Sequence, residues 1–444
     1  MTNGKLMVKV CKHLKDKTAD EYIQYFTGKE QIYNCVCPEC FKKKDIDSSD
    51  FSSIEETELS DLYLESIEGK PGIKIDINNN LFFKHRVISI DKLTDTEILF
   101  SIAMENNKKE EYLFLTAQNQ LIKIDFETLK IHELPHILAD SKIDFTKNVE
   151  MKLSKDCKLL AVYNLFGQYG MVYDLESMTE LIELDRGDYH VDVTPFTFAF
   201  HQYKCKTLII TSTDWDMIDV IDPESKQILT KRKWEELPED RSEEMHGAEF
   251  RSSVYISPNG NWIVEDGWLW HPIGRIIRWD LNQWIENNKW EADDGKSIEI
   301  LRDAEYSWGN PVSWIDDDNL LVWGYGNDDD YMLASAVIYD INTCEVKYWF
   351  YGPGNNYIID EYLFSWNHKS MWEKSKMDNG SYYQERIDKG MESFSVWDIE
   401  SGALILKDDQ IFPAVYNRKS KIFLTLEGNG KFRLSKLKAI SKIL

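Results

Sequence analysis

The densest cluster of residues able to do chemistry stands at the start of the chain. Four of the seven cysteines, Cys11, Cys35, Cys37 and Cys40, fall within its first tenth, arranged as Cys11-Lys-His13, a spacer of 23 residues, and Cys37-Pro-Glu-Cys40. Three thiolates and an imidazole form the N/S set that tetrahedral Zn²⁺ takes, and a Cys-x-x-Cys turn presents two sulfurs on one side of a tight loop. Four protein ligands close such a site and leave no position for water or substrate. The expected role is therefore structural: one zinc per chain, bound by Cys11, His13, Cys37 and Cys40, stabilising a module too small to do so through its own core. Cys35 competes with Cys37 for the third position, and spacing does not separate them.

The elements expected to position these ligands are short. Thr18-Ala-Asp-Glu21 is a capping-box pattern and predicts a helix from Glu21 through Phe26, with Gly28 closing it. Residues 1–45 form the predicted zinc-binding module, with nine Lys or Arg against six Asp or Glu; residues 46–71 form an acidic linker, Asp45 to Gly69 holding nine acids and no base. Within the linker Ser53-Ile-Glu-Glu56 is a second capping box and predicts a short helix through Ile54, Leu59, Leu62 and Ile67. The Cys-x-His and Cys-x-x-Cys pair resembles short treble-clef or knuckle zinc modules, including a reduced form of ubiquitin-binding zinc fingers.

From residue 72 to 444 the pattern changes to short β-rich runs bounded by Gly, Asn, Asp and Pro. A strand ending in Asp and followed by an apolar residue or Pro recurs six times, at Asp125, Asp174, Asp222, Asp280, Asp340 and Asp398, with spacings of 49, 48, 58, 60 and 58 residues. These periods fit a four-stranded propeller blade with loop insertions. Each Asp is expected to accept backbone N–H groups in the turn between third and fourth strands, a structural task. Lys431 to Leu437 is a degenerate seventh copy that lacks a fourth strand, and the isolated strand Phe83 to Ile90 is expected to supply it and close the ring. The prediction is an all-β, seven-bladed propeller behind a small α-containing zinc module. Trp279-Asp280, Trp397-Asp398 and the turn Ser257-Pro-Asn-Gly-Asn-Trp262 resemble divergent WD-repeat and related bacterial β-propellers. That resemblance implies a rigid disc used mostly for protein interaction, although some propellers are enzymes.

If the repeated Asp marks one face, the loops between second and third strands and those between blades project from the other. These loops hold Tyr189, His190, Trp215, Asp266, Trp268, Trp270, His271, Tyr306, Trp308, Asp328, Asp329 and Asp330. Aromatic rings interleaved with carboxylates suit a basic protein or peptide partner, the rings giving contact area and the acids selecting Lys or Arg. Asp316-Asp317-Asp318 is expected to be a turn, and Asp328 to Asp330 lacks the spaced pattern of a Ca²⁺ loop. The insertions after Asp280 and from Trp366 to Lys389 enlarge two blades, the first with an amphipathic helix.

No Gly-x-Ser-x-Gly elbow, His-Glu-x-x-His or phosphate-binding Gly-rich loop is present, and the nine histidines are scattered. The rival to a scaffold is a metal-assisted hydrolase or lyase in the propeller channel, using His190, His246 and His271 with Asp216 or Glu265. With 77 acids against 52 bases, a net charge of −25, nucleic acid and anionic membrane are not the expected partners. No apolar run reaches the length of a membrane span and the first ten residues carry no apolar leader, so a cytoplasmic location is expected.

Overall fold

A computed structural model describes residues 7–11, 23–26, 33–36, 51–55, 74–78, 80–136, 138, 141–236, 249–269, 272–327, 332–376 and 382–439. From residue 81 these form seven antiparallel sheets of four strands each. Blades 1 to 6 span 98–133, 149–185, 198–228, 249–305, 312–351 and 356–408, with strands in sequence order. Blade 7 takes Val415–Asn417, Ile422–Gly428 and Lys431–Ala439, and its fourth strand is Leu81–Ser89, antiparallel to Lys431–Ala439 with Arg86 opposite Leu434. Fastening the last blade with a strand from before the first leaves the ring without a seam. First strands of neighbouring blades meet at the junctions 1–2, 2–3, 3–4, 4–5, 5–6 and 7–1, which places them around the axis.

Strand alternation builds the core. In blade 1, Tyr112 and Phe114 pack with Leu424 and Phe432 of blade 7, while Leu113 and Leu115 pack with Leu160 and Val162 of blade 2. The other five junctions repeat this arrangement, each with its own apolar cluster. The Asp repeat fits the same plan. The residue before each Asp (Ile124, Tyr173, Ile221, Trp279, Tyr339, Trp397) is buried against the preceding blade. The Asp itself turns the chain: Asp174 Oδ1 accepts the Glu176 and Ser177 amides at 2.8 and 2.7 Å, and Asp125, Asp222 and Asp340 do the same two and three residues on. Asp280 instead caps a helix, Leu281–Glu286, through the Gln283 amide at 2.9 Å, and a second short helix, Glu291–Asp294, follows.

The N-terminal strands Met7–Cys11, Ile23–Phe26, Tyr33–Val36 and Phe51–Glu55 form a separate sheet. The first helix expectation here is corrected, and the second only at its start, because residues 56–73 lie outside the described residues. Ile23-Gln-Tyr-Phe26 is a strand antiparallel to Tyr33–Val36, because a β-branched and aromatic run with a pairing partner outweighs a local capping signal. Phe51–Glu55 is a strand antiparallel to Met7–Cys11, so this sheet extends beyond residue 45 into the predicted linker. Cys11 ends a strand; His13, Cys37 and Cys40 lie outside the described residues.

Candidate functional site

The repeated Asp turns define one face of the disc, called the bottom here. On the opposite, top face, blades 2 to 5 bring several predicted residues together. Tyr189 and His190 lie in the loop from blade 2 to blade 3, which hangs on Arg186, a side chain that sequence reasoning did not single out. Arg186 is 3% exposed and donates to the carbonyls of Gly167 (2.8 Å), Pro195 (2.9 Å), Val191 (3.1 Å) and Thr194 (2.9 Å). Its burial, with no carboxylate partner among the described residues, lowers its pKa to about 10, still charged at neutral pH. Four carbonyls on one guanidinium fix the loop's path, and His190 takes a left-handed backbone at φ 48° within it.

Tyr189 meets the Trp215 ring at 4.9 Å, and both rings reach Phe250, at 6.1 and 4.8 Å. His190 meets Phe250 edge-on at 5.6 Å. Phe250 then contacts Trp268 at 4.3 Å, and Trp268 contacts Trp308 at 5.5 Å. Apart from the slightly closer Phe250–Trp268 pair, these centroid distances lie within the range of favourable ring pairs. The result is one continuous aromatic seam across blades 3 and 4 and the loop to blade 5. Phe250, its buried hub, was missed because it looks like any strand residue; it opens the strand Glu249–Ile256.

The loop carrying Tyr306 and Trp308 lies directly on the strand Ile273–Asp280. A Cβ at Gly274 would come within 1.8 Å of the Ser307 carbonyl, so only glycine admits this approach. Tyr306, at φ 52°, donates its amide to the Pro272 carbonyl at 2.7 Å and is 63% exposed; Tyr189 is 49% exposed. The segments 187–194, 214–216 and 305–310 hold five acids and no Lys or Arg. Of these, Asp188, Asp192, Asp214 and Glu305 are exposed.

Consecutive carboxylates in the strand Trp262–Leu269 face opposite ways, and both leave the face. Glu265 turns toward blade 3 and pairs with Arg251 at 2.7 Å. Arg251 also pairs with Asp293 at 2.5 Å, and Arg232 joins Asp293 (2.5 Å) to Asp219 (2.8 Å), every side chain 0–3% exposed. Asp266 turns toward blade 5. It is fully buried, so its expected place in a partner contact is corrected: it lies beneath the face. Among the described residues neither oxygen has a hydrogen bond of good geometry. Desolvation raises its pKa to about 7, opposed by the charge of Arg302 and the nearby Asn310 and Gly309 amides. Glu265 and Asp216, proposed partners of a channel site, are both buried. Trp270, His271, His246 and Asp328 to Asp330 lie outside the described residues. Among the described residues no group of three or more His, Cys, Asp or Glu is placed to hold a metal ion.

The recess under the seam, lined by Phe250, Glu265, Gly267, Trp268 and Arg275, has a volume of about 10 Å³, room for one water. Among the described residues this recess admits nothing larger than a water, and the aromatic rings of Phe250 and Trp268 line it.

No family model matches this chain, and no curated protein matches it. A solved structure titled "Structure of U3-55K" resembles the chain in fold, with a TM-score of 0.46 and 10% sequence identity over 79% of this chain and 98% of that one. The seven-bladed propeller rests on the chain's own sheets.

Proposed function

We propose that this protein is a cytoplasmic interaction scaffold whose top face, across blades 3 to 5, captures a cationic segment of a protein or peptide partner. The observation that carries the reading is the continuous seam from Tyr189 to Trp308, with exposed tyrosines and acid-only segments around it. Lys or Arg over such rings gains cation–π attraction, and the carboxylates favour that sign of charge over the opposite one. A shallow face over a rigid ring suits a peptide-sized partner better than an enclosed small substrate. The location is supported by free, unpaired Cys157, Cys205 and Cys344, as a reducing compartment allows.

The zinc module belongs to the same proposal. The strands Met7–Cys11 and Tyr33–Val36 pair in parallel, Val10 opposite Cys35, so the chain leaves both strands at the same end of the sheet. The stretches continuing into His13 and into Cys37-Pro-Glu-Cys40 therefore start side by side, which supports one tetrahedral site. A bound zinc there gives the module its stability and offers a second contact surface tethered to the disc.

Two measurements on the full chain test these readings. Titration with an amphipathic Arg/Lys peptide, followed by tryptophan fluorescence, should show binding that an acidic peptide of equal length does not. Replacing Tyr189 and Tyr306 by Ala should weaken it at least fivefold without moving Tm; equal binding of both peptides, or no effect of the substitutions, overturns the face assignment. Elemental mass spectrometry should find one zinc per chain that disappears in Cys37→Ser/Cys40→Ser; no metal in the wild type overturns the module. A second metal surviving the substitution would favour the channel hydrolase or lyase instead.

A further inference from the structure

Blade 6 is unlike the others. Its second and third strands, Leu363–Lys376 and Tyr382–Asp398, are 14 and 17 residues long. Its first and fourth strands pair only as far as Trp366 and Phe394. Beyond that point the two central strands run on as a ribbon, paired from His368 with Met391 to Lys376 with Tyr382. At about 3.3 Å per residue this arm extends about 33 Å past the blade. It leaves from the top side, since it is the connection between second and third strands.

A two-stranded ribbon is marginal alone, and each outer edge presents unpaired backbone donors and acceptors. Among the described residues, no strand pairs with the outer edge of 382–393. What this edge can accept is written in its sequence. Glu385-Arg386-Ile387-Asp388-Lys389 is a charge palindrome about Ile387. Antiparallel pairing of this strand with a second copy of itself sets Arg386 opposite Asp388 and Glu385 opposite Lys389, on both sides of a two-fold axis through Ile387. Opposite charges directly across an antiparallel pair stabilise it, and like charges destabilise it. The other edge, 367–376, has no comparable self-complementarity.

A further fact points the same way. Residues 367–393 hold five Lys or Arg and five Asp or Glu, so the arm is neutral in a chain of net charge −25, and two copies meet there without the repulsion of their discs.

We infer that the protein forms a two-fold dimer by antiparallel pairing of the arm strands around Ile387, giving a four-stranded sheet shared between two propellers. Such an isologous contact closes at two copies. It doubles the number of top faces offered to a partner, although it does not depend on what those faces bind.

The test is the mass of the full-length chain by sedimentation equilibrium at micromolar concentration and low salt. Wild type is expected to be a dimer. Arg386→Asp places Asp opposite Asp, and Asp388→Arg places Arg opposite Arg, at two symmetric positions, so each variant should dissociate with a constant raised about tenfold or more. Mixing the two variants restores both pairs and should yield a heterodimer, as should the double variant Arg386→Asp/Asp388→Arg with itself. An unchanged propeller Tm in each variant separates loss of dimer from loss of fold. A monomeric wild type, a dimer indifferent to the single reversals, or no recovery on mixing overturns the inference.

Discussion

On the bottom face, Asp125, Asp174, Asp222 and Asp340 each cap a turn of the same length with the same two amides. The turns between first and second strands share this economy. Ser154 and Ser257 accept the amides of Leu159 and Trp262, both at 2.9 Å, and Asp316 Oδ1 accepts those of Asp318 and Asn319, both at 2.8 Å. On the top face the loops of blades 2 to 5 are held by different means: Arg186 on four carbonyls, Gly274 under Ser307, Arg251 among acids from other segments. A cap that uses its own neighbours can be copied from blade to blade. A loop held by a long-range contact must be specified once, and that freedom lets one face differ while the ring stays regular.

The comparison is sharpest where a single top-side anchor is removed. Arg251→Ala removes the guanidinium that pairs with buried Glu265 and Asp293, and is expected to destabilise the protein by about 3–5 kcal/mol in denaturant unfolding. Arg186→Ala should cost about 2–3 kcal/mol by stranding the loop carbonyls. Faster amide exchange confined to residues 187–195 would show that the anchor acts on the loop; a loss spread over the ring would break the distinction between faces.

Asp266 gives the comparison a pH dependence. Its pKa is raised to about 7 in the folded chain against about 3.9 unfolded. Between those values the folded state keeps a proton that the unfolded state has released, so this group's contribution to stability falls as pH rises and is at its lowest above pH 7. Asp266→Asn should therefore gain stability relative to wild type as pH rises from 5 to 8. The bottom-face Asp174 behaves oppositely. The Ser177 amide, the largest cause, holds its pKa below the usual value, so its contribution is present at neutral pH and fades as pH falls below about 4. Asp174→Ala and Asp340→Ala should each cost about 1 kcal/mol, and the two losses should add because the turns share no partner. Strong coupling between them would mean that the bottom turns are not independent units.

The same division explains what the sequence revealed. Blade number and the role of the repeated Asp were legible because residue 124 is to 125 as 173 is to 174: a buried anchor, then a cap, recurring at blade length. Tyr189, Trp215 and Trp308 were legible as a set because Trp and Tyr stand out in loops, whereas Trp268, expected in a loop, lies in the strand Trp262–Leu269. Arg186 and Phe250 were not, since a buried arginine reads as one more surface charge and its carbonyl partners carry no signature. Asp266 was misplaced because one step along a strand decides whether a carboxylate faces solvent, blade 3 or blade 5. The N-terminal strands were misread because a capping box is a preference that strand pairing overrides.

The smallest effect tests how far the bottom turns are copies. Four residues after the repeated Asp the backbone is left-handed in five blades: Leu129 (φ 57°), Met178 (56°), Lys226 (58°), Cys344 (59°) and Gly402 (65°). Only blade 6 has glycine there, and it has a local reason, since a Cβ at Gly402 would meet Phe350 at 2.7 Å. Leu129 is 53% exposed, so its side chain gains less from packing than a core residue while its backbone sits in the left-handed region. Leu129→Gly relieves a left-handed conformation that costs an L-residue about 1–2 kcal/mol and loses part of this to the greater freedom of glycine when unfolded. The net expectation is a gain of about 0.5 kcal/mol, read as a small rise in denaturant midpoint with unchanged slope. Gly402→Ala should shift the midpoint the other way, because the same turn there is pressed against a neighbouring blade. If Leu129→Gly destabilises instead, the Leu129 side chain is doing more than closing a turn, and the bottom face is less uniform than its repeated aspartates imply.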